Sequence, residues 1–357
     1  MKILRLITYA VTTAVLAIGC DEGIDPISHV PPGEDVNPPT IEITYPVEGS
    51  RIRVKEDVMP IEFRFHAEDD IEIVSVSFTL DGTNIGEVTE FKDYRVAFQN
   101  FWYDQLTNGS HTLVATVTDV TGKTASTSIT FEKLEPYEPV YDGETFYLPF
   151  DGDFTDLVNL VEGSIAGVPG FSDEGYLDKA YKGASGAYVA YPINTIATEE
   201  ISVVFWYKMN PVPDRAGILT VSPPDPNNPN APNNRTSGFR LFREAAGDKQ
   251  RFKLNVGNGE TDGWFETGPS TDLEATDEWV HIAFTIGTGH TTFYINGEIV
   301  SEGDFDGVSW AQCNSMSFAS GAPRFTGWDH FSDESLYDEL RIFNRVLAQD
   351  EIQAMIN

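Results

Sequence analysis

Residues 278–300, EWVHIAFTIGTGHTTFYINGEIV, restrict the possible folds of this chain more than any other stretch. Val280, Ile282, Phe284 and Ile286 alternate with His281, Ala283 and Thr285, the period-two pattern of a strand with one apolar face turned to a core. Asn296 and Gly297 then supply the pair favoured in a two-residue type I′ turn, where both central residues need positive φ. An antiparallel hairpin follows from these features, and a second layer must cover its apolar face.

The same grammar recurs along most of the chain. TIEITYP, PIEFRFHAED, VSVSFTLDG, HTLVATVTD and TASTSITFE read as short strands, separated by turn signals in LDGTNIG, TNGSH and DVTGK. In HTLVATV the residues Leu113, Ala115 and Val117 share one face. This spacing predicts a compact sandwich over 38–134. EKLEPYEPVYDGE, with two prolines and five acidic residues, predicts a stiff linker centred on 135–143. A second run of strands over 144–357 includes TFYLPFDG, AYVAYP, ISVVFWYK, GFRLFRE, RFKLNVGNG and SLYDELRIF, with no helical pattern before LAQDEIQAMIN. Two larger packed sheets are expected there, so the fold class is all-β. The 30 glycines and 21 prolines spread along the chain suit a turn-rich β protein.

Two resemblances follow from these residues. PPTIEITYPVEGSRI, AEDDIEIVSVSFTLDGTNIGE and LTNGSHTLVATVTDVTGKTAS together resemble the immunoglobulin-like repeats of bacterial surface proteins, which implies a spacer module. YLPFDGDFTDL, ISVVFWYK, the 278–300 hairpin and LYDELRIFNRVLAQDEI resemble, in order, the laminin G-like, concanavalin A-type jelly roll. SPPDPNNPNAPNNRTSG, 222–238, departs from the minimal pattern as a Pro/Asn-rich insertion.

At the other end, 1–19 combine Lys2 and Arg5 with an apolar run too short for a convincing membrane span, as in a secretion signal. LAIGC resembles the bacterial lipobox, with Ala17 where the usual pattern has Leu, which implies lipidation of Cys20 and a membrane-anchored lipoprotein. An ordinary secretory signal is the alternative. Cys20 and Cys313 are the only cysteines, so an acylated Cys20 leaves Cys313 without a disulfide partner. Residues 20–37 read as a flexible acidic tether. The acidic CDEGIDP resembles the surface-export signal of some Gram-negative lipoproteins, implying residence on the outer face of the outer membrane.

The formal net charge is −33, which argues against nucleic acid as a partner, because phosphate binding depends on clustered Lys and Arg. Carboxylates in such number serve mainly as a solubilising surface, with calcium as the alternative role. Strict alternation through LYDELRIF puts Asp338 on the apolar face with Leu336, Leu340 and Ile342, and Glu339 and Arg341 on the other as a solvated pair. An inward carboxylate needs hydrogen bonds or a cation. First and last strands of jelly rolls commonly lie close, so a structural calcium held by Asp151 or Asp153 with Asp338 is one expectation, and hydrogen bonding to backbone amides is the other. Asp333 and Glu334 fall in the preceding loop and are expected to meet water. Asp69, Asp70 and Asp119 are further calcium candidates at one end of the first module, against the alternative of solvated loop carboxylates.

Catalysis finds little support. No strand offers the E-x-D-x-x-E spacing of jelly-roll glucanases, and no H-E-x-x-H, G-x-S-x-G or P-loop occurs. Cys313 reads as a packed thiol. Trp264, Phe265, Trp310 and Trp328 sit beside Gly, Asp or His at loops or strand ends, where a ring can cover the C–H face of a sugar. Asn234 and Arg235, on the long insertion, are candidates for polar contacts. For each tryptophan, closing the end of the core is the alternative, and Trp206 and Trp279 read as packing residues. The expected function is ligand binding at the surface, with a glycan as ligand, in support of nutrient capture. Docking to components of an outer-membrane importer, or to another surface protein, is the second reading, and glycoside hydrolysis the third.

Overall fold

A computed structural model describes residues 33–356. Cys20, the signal 1–19 and most of the tether 20–37 lie outside the described residues. The chain divides into two compact units between Glu135 and Pro136. Both are built from strands, and the one helix among the described residues is the short Gln349–Ala354. None of the described helices is long and apolar enough to cross a membrane.

In the first unit, a three-stranded sheet orders Thr40–Tyr45, Met59–Glu68 and Val96–Leu106. A five-stranded sheet orders Arg51–Ile52, Thr124–Lys133, Gly109–Asp119, Ile73–Leu80 and Thr83–Val88. Phe63 and Phe65 from one sheet, and Val76, Phe78, Leu113, Ala115, Val117 and Phe131 from the other, form a common core. The alternation seen in HTLVATV is therefore the alternation of inner and outer faces.

The second unit packs two eight-stranded sheets face to face. One runs Ser164–Ala166, Tyr188–Pro192, Ser315–Phe318, Arg215–Val221, Ser237–Ala246, Lys249–Asn258 and Asp262–Glu266, with Leu273–Glu274 also on Lys249–Asn258. The other runs Gly170–Ser172, Ala180–Lys182, Leu336–Phe343, Ile201–Lys208, Val280–Ile286, His290–Ile295 and Glu298–Asp304. Glu144–Leu148 pairs with Leu336–Phe343, so the first and last strands of the unit do meet. Asn296 and Gly297 have φ of 52° and 75°, as the hairpin turn requires. Ile282, Phe284 and Ile286 reach the core between the sheets, against Phe239, Leu241, Leu254 and Val256 from the opposite layer.

Strict alternation fails in the last strand. Glu339 has φ of 53°, and the register with Ile201–Lys208 slips at this point, so Trp206 faces Asp338 while Val204 faces Arg341. A bulge adds one residue and reverses the faces beyond it. Tyr337, Leu340 and Ile342 enter the core, whereas Asp338 turns to the opposite face with Trp206.

Candidate functional site

The last strand and the loop before it depart from the sequence reading in the face that Asp338 takes, in Asp333 and in the Glu339–Arg341 pair, while the bonds of Asp338 to backbone amides are one of the two expectations for it. Asp338 is fully buried although it faces away from the core. Its Oδ2 accepts the Leu177 N–H at 2.9 Å and its Oδ1 accepts its neighbour's N–H, from Glu339, at 2.9 Å. Burial pushes its carboxyl up to about 8, against the hydrogen bond from Leu177, and the Glu339 charge adds to the rise. Asp151 accepts the Lys179 N–H and Asp153 the Thr155 N–H. Among the described residues, the one group of three such side chains close enough to share a metal is Asp35, Asp69 and Asp119, in the first unit. Asp151, Asp153 and Asp338 are not gathered in this way.

Asp333 does not meet water. It is wholly buried in an ion pair with Arg243, whose Nε and Nη2 donate to its two oxygens at 3.0 and 3.1 Å, and the Tyr207 hydroxyl adds a bond at 2.7 Å. Nor are Glu339 and Arg341 a solvated pair. Arg341 lies 3.6 Å from the Tyr147 ring centroid and bonds Glu144, Glu339 and the Tyr137 hydroxyl. Both contacts depend on residues remote in sequence.

The aromatic candidates separate cleanly. On Asp262–Glu266, Trp264 pairs with Asn255 and Phe265 with Leu254, so the two rings leave opposite faces of the sheet. Phe265 is 5% exposed and belongs to the core, which removes it from the binding candidates. Trp310 packs against the same core and donates its indole N–H to the Thr198 carbonyl at 2.7 Å, a structural role. Trp264 and Trp328 keep 42% and 36% of their surface exposed. Their centroids are 6.1 Å apart and their planes 25° apart.

The long insertion delivers Arg235 to this pair. Its guanidinium carbon lies 4.9 Å from the Trp328 centroid and 5.8 Å from that of Trp264. Arg235 Nε also donates to Asp262 Oδ2 at 3.0 Å, and Asn255 Nδ2 donates to the same oxygen at 2.8 Å. Burial alone would raise the Asp262 carboxyl, but these hydrogen bonds and the Arg235 charge hold it below its ordinary value. Asn234 instead shapes the loop: its Oδ1 accepts from Thr236 N–H and hydroxyl, and its Nδ2 donates to the Pro224 carbonyl.

Buried rings support the platform from below. Phe242, on the same face of Ser237–Ala246, meets Trp264 edge-on at 6.1 Å, and Phe325 meets Trp328 at 5.6 Å and 72°. His330 stacks on Phe325 at 5.1 Å and bonds Glu244 through Nε2. The loop carrying Trp328 is tied to the insertion by the N–H groups of Thr326 and Gly327, both bonded to the Pro232 carbonyl. Sequence inspection missed Phe242, His330 and Asp262, because their contribution lies in which face of the sheet they share with Trp264.

Residues 182–353 match the family described as the concanavalin A-like lectin/glucanases superfamily, and residues 39–115 match the bacterial Ig domain family. The chain therefore has the fold of an Ig-like domain followed by a concanavalin A-like jelly roll. No curated protein matches the chain. Among solved structures, domain 4 of AbnA, a GH43 extracellular arabinanase from Geobacillus stearothermophilus, in complex with arabinotriose, is 20% identical with a TM-score of 0.47. The match covers 60% of this chain and 98% of that one. The receptor binding domain of botulinum neurotoxin C/D mosaic serotype is 18% identical with a TM-score of 0.43, covering 60% of this chain and 51% of that one. The binding domain of botulinum neurotoxin serotype C1 is 15% identical with a TM-score of 0.43, over 60% and 52%. The chain spans about half the length of these toxin structures.

Proposed function

We propose that the concanavalin A-like domain binds a glycan on the Trp264, Trp328 and Arg235 platform, as the capture module of a surface lipoprotein anchored through Cys20. The carrying observation is that two exposed indoles lie nearly parallel, backed by buried rings and flanked by Arg235 and Asp262. Such rings cover the C–H face of a pyranose, while the guanidinium and carboxylate orient its hydroxyls. The Ig domain serves as a spacer, and nutrient uptake is the process served.

Binding without hydrolysis fits two of the carboxylates near the platform. Asp262 is held low by Asn255 and Arg235. Burial would raise Glu244, but bonds from Lys253 and the charges of Lys253, Arg215 and His330 hold it low. A glycosidase acid needs the opposite shift.

The test is affinity electrophoresis or calorimetry of the protein against a broad polysaccharide panel. Saturable binding to one glycan class, lost in Trp264→Ala and Trp328→Ala, is the expected result, and silence across the panel would overturn it. One observation favours the second reading, docking to an importer component or another surface protein. Val96–Leu106 is an edge strand of the Ig domain and leaves Phe98 and Trp102 strongly exposed, a surface on which a partner strand could add. Copurification that depends on Phe98 and Trp102 would decide for it.

A further inference from the structure

We infer that Asp35, Asp69 and Asp119 hold a divalent cation, calcium by the chemistry of the donors, at one end of the Ig domain. Asp69 follows Met59–Glu68, Asp119 ends Gly109–Asp119, and Asp35 lies on the segment that enters the first strand. One oxygen from each lies within 4.8 Å of one from each of the others.

The convergence alone would prove nothing, since acidic loops are common. What distinguishes this cluster is how Asp119 and Asp69 are used, since Asp35 already accepts from the Lys123 ammonium and, at 2.7 Å, from the Thr121 hydroxyl. Asp119 Oδ1 accepts the N–H groups of Thr121 and Lys123, each at 2.8 Å, and the Thr121 hydroxyl, with its single proton, lies 3.0 Å from it and 2.7 Å from Asp35 Oδ2. Asp69 Oδ2 accepts the N–H groups of Ile71 at 2.8 Å and Glu72 at 2.6 Å. One oxygen of each thus shapes its own loop. The other two, Asp119 Oδ2 and Asp69 Oδ1, are buried and accept no hydrogen bond from the described residues. Asp119 is only 2% exposed, and the Asp35 side chain 5%. Buried carboxylate oxygens left unpaired are costly, so something positive belongs against them.

Lys123 is the resident counter-charge and is not enough. Its ammonium bonds the carboxylate and carbonyl of Asp35, and none of its hydrogen bonds reaches Asp69 Oδ1 or Asp119 Oδ2. One ammonium answers the charges of Asp35, Asp119 and Asp70, and Asp69 adds a further carboxylate to the same cluster. A water molecule could bridge the two free oxygens but would leave that charge uncompensated. The donors are all oxygens, which selects a hard cation, and an irregular set of carboxylates on loops suits calcium better than octahedral magnesium. Bound there, the ion would cross-link the entering segment to the loops after Asp69 and Asp119.

The test is calorimetric titration of calcium alone into the full-length, chelator-treated protein, with thermal unfolding before and after chelation. One saturable site is expected, together with a lower unfolding temperature of the Ig domain after chelation. Asp35→Asn leaves the hydrogen bonds within both loops intact and should weaken calcium binding at least tenfold. Asp69→Asn, whose amide oxygen can still accept the loop N–H groups, should do the same, while Asp338→Asn should bind as the wild type does. No saturable binding up to about 10 mM, roughly tenfold beyond the weakest extracellular calcium modules, would overturn the assignment. So would binding undiminished in both Asp35→Asn and Asp69→Asn. Neither readout involves a glycan, so the result stands apart from the platform on the other domain.

Discussion

Trp264 and Trp328 reach one patch of the concanavalin A-like domain from separate segments, with ring centroids 6.1 Å apart and the Arg235 guanidinium above both. Trp264 stands on a sheet strand, Trp328 on a loop, and Arg235 on the long insertion. This aromatic platform therefore exists only when these three pieces of chain are assembled.

Truncating either ring should separate binding from folding. Trp264→Ala or Trp328→Ala should weaken glycan binding about tenfold or more, equivalent to about 1.4 kcal/mol. Each should change stability by only about 1 kcal/mol, the size of an aromatic contact at a partly exposed site. Affinity electrophoresis beside thermal unfolding measures both, and a large fall in melting temperature with unchanged affinity would make the rings structural.

Phe265 should behave in the opposite way. It leaves the other face of the same strand and is packed into the core, so Phe265→Ala should cost about 3–5 kcal/mol. Chemical unfolding of the domain gives the value, and a loss below about 1 kcal/mol would contradict its place in the core.

The Arg243–Asp333 pair should be sensitive to loss of one partner. Both side chains are wholly buried, and Arg243 also bonds the Tyr207 hydroxyl, the Gln250 side chain and the carbonyls of Pro213 and Asn210. Asp333→Ala would leave a buried guanidinium without its carboxylate and should cost about 3–5 kcal/mol. Denaturant midpoints compared with those of Arg243→Met/Asp333→Leu test the reason: the paired replacement should recover much of the loss.

His281 should make the concanavalin A-like domain sensitive to acid. It is buried against the edge of Trp206, and burial lowers its pKa to about 4. The folded domain keeps the ring neutral between about pH 6.5 and 4, while the unfolded chain takes up a proton. Its contribution is complete above about pH 6.5 and is lost as pH falls toward 4, at about 1.4 kcal/mol per pH unit. Urea unfolding of wild type and His281→Gln at several pH values across this range should show the wild type losing stability more steeply. Parallel curves would show that the ring protonates without unfolding.

What the sequence determined by itself was local and periodic. Alternation in HTLVATV and VHIAFTI, the Asn296-Gly297 turn and the Pro-rich linker at 135–143 depend on neighbours within a few residues, so the β class and the succession of two sandwiches were legible. The tertiary structure decided whatever depends on register and on residues far apart. The bulge at Glu339 moves Asp338 off the face that alternation assigned to it. Asp333 is buried because Arg243 arrives from another strand, and Asp35, Asp69 and Asp119, remote in sequence, bring carboxylate oxygens within 4.8 Å of one another. Period-two patterning names a face as long as the register is unbroken, but neither a one-residue slip nor the partner across a sheet is written in the pattern itself.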